Sequence, residues 1–259
     1  MSEINVKLGL KNVLSRIEEA SKRRSSEFEG KIPQLVAEFE GKIPQLVAVT
    51  KTKPVDMIIE AYDAGQRHFG ENYVNELVDK ANHKDILEKC KDIKWHFIGN
   101  LQTNKVNKVL PLPNLYMIET IDDEKLAAKV NANWPKYGSP DMRLNVMVQV
   151  NTSGEEAKNG TPPSNVVQLS RFVLENCPNL HLHGLMTIGL FGYDLSNGPN
   201  PDFILLKQCR DKVCKELNIE TKDLELSMGM SDDFEHAIEM GSTNVRVGSS
   251  IFGAREKKT

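Results

Sequence analysis

Residues 224–253 read LELSMGMSDDFEHAIEMGSTNVRVGSSIFG, and this stretch decides the fold. A short β-rich run, Leu224–Met228, breaks at a Gly- and Ser-bearing turn and gives way to a segment of helical period, Asp232–Met240. A second apolar run, Asn244–Val247, follows and ends in another small-residue turn. A strand, a helix and a strand joined this closely predict a parallel pair with its crossover helix. Working outward toward the N-terminus, the same alternation recurs. The further strand candidates are Leu46–Thr50, Arg67–Gly70, Lys94–Gly99, Leu115–Thr120, Leu144–Asn151 and Leu182–Ile188. Between them lie helix candidates at Val55–Ala64, Tyr73–Ala81, Asp122–Trp134, Ser164–Asn176 and Pro201–Leu217, several opened by the Pro or Asp that suits a helix start. Eight strand-helix units over about 210 residues predict an α/β fold, a single (β/α)8 TIM barrel. A doubly wound open sheet is the alternative.

Residues 1–26 carry Leu10, Val13, Leu14 and Ile17 at the spacing of one helical face, so an amphipathic helix is expected to pack on the barrel as the outer partner missing after the last strand. Residues 27–37, EFEGKIPQLVA, are repeated identically at 38–48. An eleven-residue copy is too short for a solenoid unit, which needs at least ~20 residues. It reads as a local duplication within a 27–45 linker, its second copy running directly into the first strand. The barrel is assigned to 46–255 and a tail to 256–259.

The composition is that of an ordinary globular chain: 259 residues, 39% hydrophobic, 27% charged. Thirty-three basic against thirty-six acidic residues leave a formal charge of −3, so there is no global positive field to attract a nucleic acid or an anionic membrane, and neither is expected as a partner. Cys90, Cys177, Cys209 and Cys214 form no CxxC pair and no secreted disulfide pattern, which suits a reducing compartment. The N-terminus lacks the apolar stretch of a signal peptide, and Glu3, Glu18 and Glu19 argue against an ordinary transit peptide. A cytoplasmic location is expected, with a mitochondrial fraction left open.

In a barrel the chemistry belongs where the strand C-termini converge. Read in order, those ends offer Thr50-Lys51, Glu71-Asn72, His96 with Gly99-Asn100, Glu119-Thr120, Asn151-Thr152, Met186-Thr187, Ser227 to Ser231 and Arg246 to Ser249. Lys51 follows an apolar run and would project into the mouth, where desolvation lowers an amine's pKa and favours Schiff-base chemistry; a surface lysine is the alternative. Lys53 is its rival, but precedes Pro54 and is biased toward extended geometry at the loop edge. Arg246 and Gly248 share a face two residues apart and run into small residues, a turn able to receive phosphate. Gly229, Ser227 and Ser231 make a second such turn. His96 lies on an apolar strand and reads as a core group or a base. His181 and His183 alternate without a third ligand, so a zinc site is disfavoured and no metal is expected. Asp232-Asp233 reads as a helix cap.

The blocks VTKTKP, GQRHFGENYVNEL, KWHFIGNLQTNK, QVNTSGEEAKNG, GLMTIG and LSMGMSDDFEHAIEMGSTNVRVGSSIFG together resemble the pyridoxal phosphate homeostasis proteins, from about residue 46 to residue 255. The resemblance implies the barrel shared with the N-terminal domain of bacterial alanine racemase and pyridoxal 5′-phosphate held as an internal aldimine. Carried over, it implies Lys51 as the aldimine lysine, Arg246 facing the pyridine nitrogen, and Gly248, Ser249 and the SMGMS segment (Ser227, Met228 and Ser231 among them) at the phosphate. Asn72 and Met186 would line the ring. A guanidinium stays protonated, so the pyridine nitrogen facing it is not expected to become cationic, which mutes carbanion chemistry. Racemisation also needs a second acid/base group. In the racemases this comes from an additional β-domain of the partner subunit, for which the six residues after Gly253 leave no room. Tyr73 could substitute, although packing or capping is its simpler role. The expectation is a monomeric, non-catalytic carrier that buffers the coenzyme in vitamin B6 homeostasis and delivers it to coenzyme-dependent apoenzymes. A low-turnover amino-acid racemase and a Schiff-base aldolase acting on sugar phosphates are the alternatives.

Overall fold

A computed structural model describes residues 4–28, 43–138 and 141–254 of the chain. Eight parallel strands close into a barrel in sequence order: β1 Gln45–Val49, β2 His68–Glu71, β3 Lys94–Phe97, β4 Leu115–Ile121, β5 Leu144–Gln149, β6 Leu180–Met186, β7 Glu225–Ser227 and β8 Asn244–Val247. Closure is made by β1 against β8, with Val47 opposite Arg246 and Ala48 opposite Val247. The expected barrel is therefore present, and the open sheet is excluded. The helices are α1 Val6–Phe28, α2 Val55–Asp63, α3 Val74–Ala81, α4 Lys84–Lys89, α5 Val106–Val109, α6 Glu124–Asn133, α7 Val166–Asn176, α8 Pro201–Leu217, α9 Phe234–Glu239 and α10 Ser249–Phe252. Most of the duplicated segment 27–45, and the tail 256–259, lie outside the described residues.

Alternation along each strand sorts its side chains into two layers. Leu46, Phe69, Trp95, Phe97, Val146, Leu226 and Val247 face outward and join the helices in one apolar layer. Inside the barrel lie Met117, Met147 and Met186, packed as a separate small cluster, and a column of polar groups.

Helix α1 packs against α9, α10 and α2, filling the outer ring where the last strand meets the first. Its buried positions are Val6, Leu10, Val13, Ile17 and Ala20, spaced alternately by four and three residues. Leu14, placed on that face by the sequence reading, is 44% exposed. The stripe steps from 13 to 17, which turns position 14 toward solvent. Gly9 sits where a Cβ would lie 2.7 Å from the Ile251 carbonyl oxygen, so the absence of a side chain lets α1 approach α10.

Candidate functional site

The C-terminal ends of the strands surround a cavity of about 520 Å³, within the range of small-molecule sites. Its wall includes Lys51 and Lys53 after β1, Asn72 after β2, Ile98 after β3, and Ile188 with Phe191 after β6. Met230, Ser231 and Asp232 after β7, then Arg246, Gly248 and Ser249 from β8 and the turn beyond it, complete the other side. A second hollow of about 220 Å³ lies at the opposite end of the barrel, near Gln45, Glu225 and Thr243, away from every strand C-terminus.

Arg246 is 4% exposed and held rigidly. One terminal nitrogen donates to the Ser227 hydroxyl at 2.6 Å and the other to the Thr187 carbonyl at 2.8 Å. Ser227 in turn donates to Glu119 Oε2 at 2.6 Å, Glu119 Oε1 meets His96 Nδ1 at 2.7 Å, and His96 Nε2 meets His68 Nδ1 at 2.8 Å. A buried hydrogen-bonded column thus runs from the cavity floor down the barrel interior. Burial holds the Arg246 pKa below its ordinary value, a lowering that the charges of Glu119 and Asp233 offset only in part. Burial alone would raise Glu119, but its hydrogen bond to His96, the His96 charge and the Arg246 charge prevail and hold it below the usual carboxylate range. His68 is pushed down to about 3, by burial first and then by His96 and Lys94, and is neutral.

The two loops expected to receive phosphate are joined: the Gly248 amide donates to Ser231 Oγ at 3.2 Å. A Cβ on Gly248 would lie 3.1 Å from the Val49 carbonyl oxygen, so a larger residue there would press on β1. Asp233 stands at the N-cap position of α9, as the reading of the Asp pair as a helix opening expects, but its Oδ1 accepts the Met230 amide at 2.6 Å rather than a helix amide, so the carboxylate also ties down the β7 loop. Lys53 Nζ donates to the carbonyls of Gly253 and Ala254 at 2.9 and 3.0 Å, pinning the rim. Asn72 has a buried side-chain oxygen with no hydrogen-bond partner, beside the cavity it lines.

Of the residues singled out from the sequence, Lys51, Asn72, Ser231, Arg246, Gly248 and Ser249 converge on this cavity. Met186, Ser227 and Met228 do not line it. Met228 points outward into the helix-facing layer, Met186 sits in the methionine cluster inside the barrel, and Ser227 lies behind Arg246 as its acceptor. Two other residues read as facing the mouth lie elsewhere. Glu71 turns outward to Lys80 on α3, and Glu119 is sealed within the barrel. His96 is a hydrogen-bonded core group, 1% exposed. Tyr73 occupies the N-cap position of α3, its carbonyl accepting the Leu77 amide at 2.9 Å, while its side chain makes no capping hydrogen bond and is 53% exposed. His183 lies 3.3 Å from Glu225 and His181 3.1 Å from Asn145. Among the described residues, no group of three or more His, Cys, Asp or Glu side chains could hold a metal ion, and no helix is long and apolar enough to cross a membrane.

The wall residues Ile98 and Ile188 were not foreseen, although a signal existed. Each lies two positions beyond an inward-facing residue, His96 and Met186, and so continues the same face. Phe191 and Asp232 come from loops, where no periodicity operates, whereas Met230 belongs to the SMGMS segment read as facing the phosphate.

A closed parallel barrel with a lysine and a buried arginine at its C-terminal mouth defines the class, and comparisons with known proteins agree. The family described as "Alanine racemase, N-terminal domain" matches residues 24–256. Alanine racemase from Corynebacterium glutamicum shares the fold, with a TM-score of 0.58 at 11% identity, covering 95% of this chain and 62% of that one. The chain is 54% identical over 255 residues to the human pyridoxal phosphate homeostasis protein, covering 98% of this chain and 88% of the relative. It is 47% identical over 211 residues to the protein of that name from Caenorhabditis elegans, covering 81% and 85%. PipY of Synechococcus elongatus, solved with pyridoxal phosphate bound, superposes with a TM-score of 0.69 at 29% identity, covering 90% of this chain and all of that one. The chain belongs to the alanine racemase N-terminal-domain family and, within it, to the pyridoxal phosphate homeostasis proteins.

Proposed function

We propose that the cavity binds pyridoxal 5′-phosphate through Lys51, and that the protein buffers and carries this coenzyme rather than turning over a substrate with it. The observation that carries this reading is that one cavity brings together an amine, a guanidinium and a small-residue turn at separate points of its wall, beside a buried amide oxygen with no partner. Bound there, the coenzyme supplies an aldehyde that condenses reversibly with a primary amine, forming a carbon–nitrogen double bond with loss of one water.

The residues of the chain divide the remaining work. Lys51 offers the amine. Lys53, already donating to two backbone carbonyls, serves the rim. The amides that open α10 have no intrahelical acceptor and suit a phosphate, with Ser231 and Ser249 alongside. Asn72 suits a ring hydroxyl, which would satisfy its orphaned atom; whether oxygen or nitrogen faces the cavity depends on which way the amide is turned. Arg246, fixed by Ser227 and Thr187, presents its charged fork to the ring. Since a guanidinium does not give up its proton, a nitrogen facing it stays neutral and the ring withdraws electrons weakly. That favours holding over carbanion chemistry. Phe191, 77% exposed on the rim, marks a mouth open to solvent, which suits exchange with the apoenzymes the carrier would supply.

The test is spectroscopic and isotopic. Incubated with the coenzyme, the wild-type protein should develop a visible absorbance band that Lys51→Ala lacks. It should also exchange deuterium into the Cα of D- or L-alanine no faster than free coenzyme does. A band unchanged in Lys51→Ala would remove the lysine assignment, and exchange well above the free-coenzyme rate would establish the racemase alternative.

A further inference from the structure

Lys51 sits in a turn whose two flanking residues are bound by groups that do not touch the cavity. Behind it, on α3, Lys80 is 6% exposed and its ammonium makes three short contacts. These are 2.6 Å to the Thr50 carbonyl, 2.6 Å to Glu71 Oε1 and 2.7 Å to Glu76 Oε1. An ammonium has three protons to donate, and all three are committed. Each partner then holds a residue next to Lys51. Glu71 Oε1 accepts the Thr50 hydroxyl at 2.6 Å, and Glu76 Oε1 accepts the Thr52 amide at 2.5 Å.

The turn needs holding. Thr52 has φ of +63°, the left-handed region that a β-branched residue rarely enters. Left alone, Thr52 would relax toward negative φ and swing the Lys51 Cα–Cβ vector. The Glu76 carboxylate on its amide opposes that change, and Lys80 fixes the carboxylate from the other side. Burying a lysine beside the fully buried Glu71 carries a desolvation cost, so the pair is weak evidence for stabilisation of the loop by itself.

We propose that Lys80, acting through Glu76 and the Thr50 carbonyl, is a positioning residue for the Lys51 amine. This deepens the reading of Lys51 as the coenzyme-bearing amine and rests on it. Lys80 is not among the residues that line the cavity; it fixes the turn from which Lys51 reaches.

The test uses the full chain with pyridoxal 5′-phosphate as probe. Because Lys80→Met strands Glu71 in the interior and can fail to fold, the half-buried Glu76 provides the deciding variants. Glu76→Ala removes the acceptor for the Thr52 amide; Glu76→Gln keeps an acceptor oxygen. Adduct formation, followed by its absorbance, should slow about tenfold in Glu76→Ala, the loss that goes with freeing one ordered side chain and its loop. In Glu76→Gln it should be largely rescued. The Thr52 amide of the coenzyme-free Glu76→Ala protein should exchange with solvent faster than in wild type, a readout independent of the coenzyme. Faster Thr52 exchange with an unchanged rate of adduct formation would overturn the positioning role while leaving Lys51 intact. No adduct in the wild-type protein would overturn the Lys51 reading and this inference with it.

Discussion

Glu119→Gln probes the buried column directly. In the native protein Glu119 is fully buried and bonds His96 and Ser227, while Ser227 passes the contact on to Arg246. A glutamine has nearly the same shape and can keep both contacts, because His96 can change tautomer and the serine hydroxyl can accept as well as donate. What it cannot keep is the negative charge facing a guanidinium that is itself buried. Removing one partner of such a pair costs about 3–5 kcal/mol. At roughly 2–4 °C per kcal/mol for a chain of this size, the unfolding midpoint at pH 7 should fall by about 6–20 °C. Calorimetry and urea titration of the coenzyme-free protein measure this without reference to function. Adding Arg246→Met to the variant should recover part of the loss, since no uncompensated charge then remains. The folded-state pKa of Glu119 lies below its ordinary 4.5, so its contribution is present above that value and is lost as pH falls through the depressed one. The gap between wild type and variant should therefore persist at mild acidity and close only in stronger acid. A midpoint within about 2 °C of wild type at neutral pH would refute the charge pairing, because even the low end of the estimate predicts more.

Three further outcomes follow from individual residues. His68 stays neutral in the folded protein down to about 3 but protonates near 6.5 when unfolded, so stability should decline as pH falls across that interval. His68→Gln should flatten this acid limb in urea titrations run between those values, and an unaltered slope would contradict the burial assigned to the imidazole. A Cβ at Gly99 would stand 1.8 Å from the Asn72 carbonyl oxygen, so Gly99→Ala should displace the Asn72 segment and lower both the unfolding midpoint and coenzyme retention. Asn72→Ala removes a buried polar atom that lacks a partner, a group whose burial costs about 1–3 kcal/mol. The coenzyme-free protein should be as stable as wild type or more so while its coenzyme affinity falls; a large loss of stability would show that the amide serves the fold and not the ligand.

The barrel was legible because its strands are buried on both faces and read as short apolar runs separated by helical periods. All eight strands lie within a few residues of where those runs place them. The short helices Lys84–Lys89, Val106–Val109 and Ser249–Phe252 were not foreseen, since one turn or so carries too little period to register. Lys51, Asn72, Arg246 and the small-residue turns were legible because strand ends carry the chemistry of a barrel. Misplaced residues failed on direction rather than position. Ser227 ends β7 and Met228 follows it directly, yet alternation sends Met228 to the helices and Ser227 into the interior. Glu71 turned outward for a reason no local pattern contains: its partner Lys80 lies a helix away, and only the folded chain brings the two together.

Incubation of the purified protein with pyridoxal 5′-phosphate, reduction with borohydride and peptide mapping tests the proposed coenzyme linkage most directly. A single label on the peptide containing Lys51 is the predicted result. A label confined to Lys53 or to a lysine outside the cavity, or no label at all, would contradict it.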